Sequence, residues 1–188
     1  MKILKGFAAA TLVGAMAMSA ATLAQEKAPD GYWLTPTIAN YGRVHLLPDA
    51  AFMPQPDRTY KIVFSLTQAA KTPDVVDPGL DRVARTVNLY VAAGVPLSRL
   101  NFVAVASGPA TALVLDDEHY RAAYGVANPN LPLIAALKKA GVTVAVCGQA
   151  VAERHFDFAW VAPDVILALS ALTTVTTLET QGYVLMPL

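Results

Sequence analysis

From Tyr60 onward the apolar residues follow two spacings. Short continuous runs at Tyr60–Leu66, Asn101–Ala106, Val142–Cys147, Val165–Leu169 and Tyr183–Met186 predict five strands. Between them apolar residues recur every three or four positions. Leu80, Val83, Ala84, Val87 and Val91 make one such stripe, with Asp81 and Arg85 four apart on the outer face. Gly94 ends this helix and Pro96 prevents its return. A helical piece is expected near Asp116–Tyr124. A further helix starts near Asn130, turns Leu131, Ile134 and Leu137 inward, and stops at Gly141. Lys138 and Lys139 suit its negative C-terminal end. Asn128-Pro129-Asn130 reads as a turn plus a cap. A short helix is expected after Gly148, and Ser170 is placed to cap a last helix that ends at Gly182.

Strands apolar on both faces, alternating with helices, predict a parallel sheet covered on both sides with right-handed crossovers. The expected fold class is α/β: a single three-layer αβα domain over residues 59–188, with a flavodoxin-like, five-stranded, mainly parallel sheet. In the strand order 2-1-3-4-5 the direction reverses between the first and third strands, and ligands bind beyond the carboxyl ends at such a reversal. That order puts the end of the third strand, Cys147, beside the cleft. Thr67 and Gln68, Ser107 and Gly108, Cys147 and Gly148, and Ser170 end the strands and are the positions to inspect.

Residues 25–58 lack sustained periodicity and hold Pro29, Pro36, Pro48, Pro54 and Pro56. They read as an irregular arm. Tyr32, Trp33, Leu34, Val44, Leu46, Leu47 and Phe52 suit packing on the domain or on a second subunit better than a free linker. Residues 1–24 read as a secretory signal peptide. Lys2 and Lys5 precede an apolar run from Gly6, and Thr22-Leu23-Ala24 offers small residues for cleavage. The run is long enough for an uncleaved anchor, but Ala, Gly, Ser and Thr give it weak insertion energy. The expectation is a periplasmic or secreted protein with no membrane segment after cleavage.

The 188 residues carry 14 basic and 14 acidic side chains. A neutral chain without a basic stripe is a poor nucleic-acid binder. The three histidines and one cysteine show no zinc spacing, and no cofactor motif is present: Ser107-Gly108-Pro109-Ala110 is neither a dinucleotide loop nor a P-loop. One cysteine in an exported chain allows no internal disulfide. Cys147 is either a buried small hydrophobe or a thiol that meets partners from outside. Thiols at helix starts are favoured as thiolates, and Gly148 keeps an approach to sulfur open. His155 is about 12 Å further along a continuous helix, so no local Cys–His pair is indicated. His45 and His119 stand alone. Trp33, Trp160, Phe156 and Phe158 suit the core or a subunit contact.

From Tyr60 to Pro187 the chain resembles the DsrE/DsrF-like proteins of sulfur relay. The resemblance rests on YKIVFSLT, on VAVASGPA, on ANPNLPLIAALKKAGVTVAVCGQA and on LSALTTVTTLETQGYVLMP. It implies an αβα domain that assembles into homo-oligomers, and a cysteine after the third strand that carries sulfur as a persulfide. Cys147 matches that cysteine. Ser107 stands where members often have histidine. The implied reading is a sulfur carrier with Cys147 as the reacting residue and Thr67, Ser107, Gly108, Gly148, Gln149 and Ser170 as neighbours. Its partners would be a sulfur donor or acceptor protein or a small polysulfide. The alternative is a binding or assembly module in which Cys147 is structural.

Overall fold

The computed structural model describes residues 31–188. The expected signal segment lies outside the described residues, as does the start of the arm. Five strands form one sheet: β1 (Tyr60–Leu66), β2 (Leu100–Ala106), β3 (Thr143–Cys147), β4 (Ile166–Ala168) and β5 (Val184–Pro187). Every pairing is parallel. The helices are α1 (Pro78–Ala92), α2 (Asp117–Tyr124), α3 (Leu131–Lys139), α4 (Gly148–Glu153) and α5 (Ala171–Thr180). The α/β class and the parallel sheet are as the alternation predicts.

The strand order differs from expectation. It is β4-β3-β2-β1-β5. β2 pairs with β1 along its full length, from Tyr60 opposite Leu100 to Leu66 opposite Ala106. The right-handed rule sets the hand of each crossover but not which neighbour comes next. Here the crossovers to β2, β3 and β4 all step the same way, and only the last one returns across the sheet. The reversal therefore lies between β1 and β5, and Cys147 sits between β2 and β4, away from it.

Residues paired in parallel register share a face. Ile62, Phe64 and Leu66 join Phe102, Ala104, Ala106, Val144 and Val146 in the main core, with Leu80, Val83, Val87, Leu133, Ile134 and Leu137 from α1 and α3. Phe64 and Phe102 meet edge to face at 5.4 Å. Val63, Val105, Ala145 and Cys147 point the other way, where α5 lies against β1 and β2. That face is less fully covered than the two-sided apolar strands imply. No residue of α5 is buried, and Ile166 on β4 is 57% exposed.

Residues 31–58 run as turns along α1, with one antiparallel bridge, Leu34 to Val44. Asn88 of α1 is fully buried and clasps them. Its Oδ1 accepts from the Thr37 and Ile38 N–H groups, and its Nδ2 donates to the Tyr41 and Gly42 carbonyls. Gly42 has φ +56°, and a Cβ there would lie 2.1 Å from the Arg85 nitrogen, so only glycine fits.

Candidate functional site

Cys147 closes β3 and occupies the N-cap position of α4. It is 6% exposed. Its Sγ has one polar neighbour in hydrogen-bond range, Ser170 Oγ at 4.0 Å. Ser170 in turn caps α5, accepting from the Leu172 N–H at 3.2 Å. Gly148 allows α4 to start against β4: a Cβ on it would meet the Ala168 carbonyl oxygen at 2.8 Å. Gln149 Nε2 donates to the Leu169 carbonyl. Thus Cys147, Gly148, Gln149 and Ser170 form one cluster at the β3–β4 edge. Of the two readings of Cys147, this is the packed one: the side chain is buried, and it does not line the cavity described below.

The other expected residues sit elsewhere. Thr67 lies at the β1–β5 crevice, where its N–H donates to the Leu188 carbonyl and the Leu188 N–H donates to Ser65. Leu188 therefore sits at the reversal point. Ser107 follows β2 and its N–H donates to Leu66. Gly108 turns with φ +52°, and its carbonyl accepts from Thr111 Oγ1 and from Arg154 Nε. Among the described residues no hydrogen bond ties Thr67, Ser107 or Gly108 to the Cys147 cluster.

A cavity of about 220 Å³ opens instead over the ends of β1 and β2, on the α1–α3 side. Asp77, Asn130, Tyr120 and Arg154 line it. Asp77 caps α1 through Oδ1, which accepts from the Leu80 N–H at 3.0 Å. Burial pushes its carboxyl above the ordinary range, against the pull of the Leu80 and Gly79 N–H groups and of Arg82. Asn130 occupies the N-cap position of α3 but makes no side-chain cap there. Its Oδ1 accepts from the Asp77 N–H at 2.8 Å, and its Nδ2 donates to Asn128 Oδ1. The amide is drawn to α1 because a buried N–H there needs an acceptor. Asp77 and Arg154 carry no motif, and their setting exists only in the folded chain.

His119 is not isolated. Its Nδ1 is 2.8 Å from Asp116 Oδ1, and its ring stacks on Trp160 at 4.6 Å. Burial pulls the Asp116 carboxyl up, but the hydrogen bonds and charge of His119 and the Glu118 N–H hold it below the usual range. The three-residue spacing of Asp116 and His119 was a readable signal for this pair. Trp33 and Phe158 are about half exposed and do not join the core. Among the described residues no cluster of His, Cys, Asp and Glu could hold a metal ion, and no helix is long and apolar enough to cross a membrane.

Among solved structures, a protein of unknown function from Methanobacterium thermoautotrophicum aligns with 69% of this chain and 99% of its own, at 15% identity and a TM-score of 0.48. No curated protein sequence matches. The sequence model of one family covers residues 61–188, from β1 through β5 and with it the Cys147 cluster, and on that match the chain belongs to the DsrE/DsrF-like family.

Proposed function

We propose that this protein is an exported sulfur carrier that holds sulfur on Cys147 as a persulfide. The observation that carries the reading is a lone thiol at the β3–α4 junction of a chain in this family. In the reaction, Cys147 loses its proton and the thiolate attacks the outer sulfur of a donor persulfide, R–S–SH. A new S–S bond forms at Cys147, the donor S–S bond breaks, and R–S⁻ leaves and takes up a proton. An acceptor thiolate then attacks the same outer sulfur and restores Cys147. Both steps exchange one S–S bond for another, so no outside oxidant or cofactor is needed.

The thiol must be uncovered for this to happen. Its one polar neighbour is Ser170, the N-cap of α5, a helix with no buried residue. An element with so little buried surface opens at low cost. Export fits the same reading, because a single cysteine cannot be trapped in an internal disulfide in an oxidising space. N-terminal sequencing of the protein recovered from producing cells should begin at Gln25.

The decisive measurement is the intact mass of the folded protein after exposure to a small persulfide or polysulfide. The wild type should gain one sulfur atom and lose it to an added thiol, and Cys147→Ser should gain none. An unmodified wild type, or the same gain on Cys147→Ser, ends the proposal.

One observation favours the second reading, an assembly module: Cys147 is packed while Ile166, Leu169 and Leu172 stand in solvent. A thiol that resists alkylation until the chain unfolds, in a protein that self-associates, would select that role.

A further inference from the structure

The cavity over β1 and β2 lies on the opposite face of the sheet from Cys147, and the relay chemistry leaves it unused. Its notable group is Asp77, which is 2% exposed. Oδ1 is occupied by the helix cap. Oδ2 is the one buried side-chain oxygen or nitrogen among the described residues with no hydrogen-bond partner. Several nearby donors have other acceptors. Asn130 Nδ2 donates to Asn128 Oδ1, the Asn130 N–H donates to the same oxygen, and the Tyr120 hydroxyl donates to the Pro73 carbonyl. A carboxylate oxygen left this way costs stability until a donor reaches it.

Two cations line the same cavity. Arg154 is held by its Nε bond to the Gly108 carbonyl, which leaves its two terminal nitrogens to face outward groups. Lys71 is exposed. Neither makes an ion pair among the described residues. The walls between are apolar, formed by Ala69, Pro73, Pro109, Ala110 and Leu113. The volume is several times the ~30 Å³ share of one water and below the roughly 300–1,000 Å³ of drug-sized sites.

We propose that this cavity binds a small carboxylic acid bearing an amino or hydroxyl group, of the α-amino- or α-hydroxy-acid class. The amino or hydroxyl group donates to Asp77 Oδ2, and the acid faces Lys71 and Arg154. A ligand with only one of these groups satisfies half of the site.

The test is amide chemical-shift titration of the full chain with L-serine, L-lactate, propionate and propylamine. Serine or lactate should give saturable shifts at Ala110 and Asn130. Propionate and propylamine should bind at least about tenfold more weakly, the loss of one charge-assisted hydrogen bond. Asp77→Asn should weaken the better ligand by a similar factor. Arg154→Gln and Lys71→Gln change exposed residues and keep the fold, and each should weaken it too. No saturable shift with any probe means that the cavity holds water only and overturns the proposal. Propionate binding as well as serine and lactate overturns the role of Asp77, and unchanged affinity in the Arg154 and Lys71 variants overturns the acid end. None of these results bears on sulfur loading of Cys147, which is read separately by mass.

Discussion

Asp77 shows how a single side chain can hold a cost and a use at once. Its carboxyl is raised in the folded state, so the native protein holds that proton at pH values where the unfolded chain has released it. The sign follows from linkage: its contribution is fully present below the unfolded carboxylate range and is lost as pH rises through the higher folded value. Asp77→Asn keeps an oxygen for the Leu80 cap and removes the titration. Urea denaturation across pH should show the wild type losing stability relative to Asp77→Asn as pH rises from acid toward neutral. A parallel pH dependence for the two would refute the assignment. Asn88 is the opposite case, since all four of its hydrogen bonds join α1 to the arm. Asn88→Ala strands these buried groups and should lower stability by about 1–3 kcal/mol, with early proteolytic cutting within residues 31–58. These two residues also mark the limit of sequence reading. Asn130 was legible as turn chemistry, but its side chain serves a residue 53 positions away. Asn88 falls on the buried stripe, four residues after Ala84, but its partners, like those of Asp77, are assembled by tertiary structure and could not be read.

At the scale of elements, the two-sided apolar runs made β1, β2 and β3 plain, and glycines and lysines marked the helix ends. β4 and β5 came out shorter or shifted, because edge strands have one partner and fray. The order of strands was not legible, since each crossover obeys the same handedness wherever it lands. Cys147 was correctly placed at the end of β3, but its burial was not legible, because its neighbour Ser170 lies 23 residues away and reaches it only in the folded chain. The close approach of α4 to β4 gives a sharp check. Gly148→Ala drives a Cβ to 2.8 Å from the Ala168 carbonyl, so backbone must shift, at a cost of roughly 1–3 kcal/mol. Differential scanning calorimetry should show a lower midpoint, whereas Gly125→Ala, with nothing within 4 Å but φ +76°, bears only the smaller backbone penalty.

Over the whole molecule, apolar side chains are unevenly spread. Ile166, Leu169 and Leu172 are exposed along β4 and the start of α5, and contiguous exposed apolar surface marks association sites. Sedimentation velocity should show self-association at micromolar concentration, and Leu172→Glu should shift the boundary toward monomer. A wild type that sediments as a monomer throughout would remove the assembly role.

The return of the chain from β4 to β5 has one more consequence. β1 to β4 pair in the order in which they are synthesised, so they can assemble while the last segment is still emerging from the ribosome. Until β5 arrives, β1 offers a bare row of amides and carbonyls to any strand of matching sequence. A β5 from another copy would satisfy the same edge, which is the condition under which C-terminal strands exchange between chains.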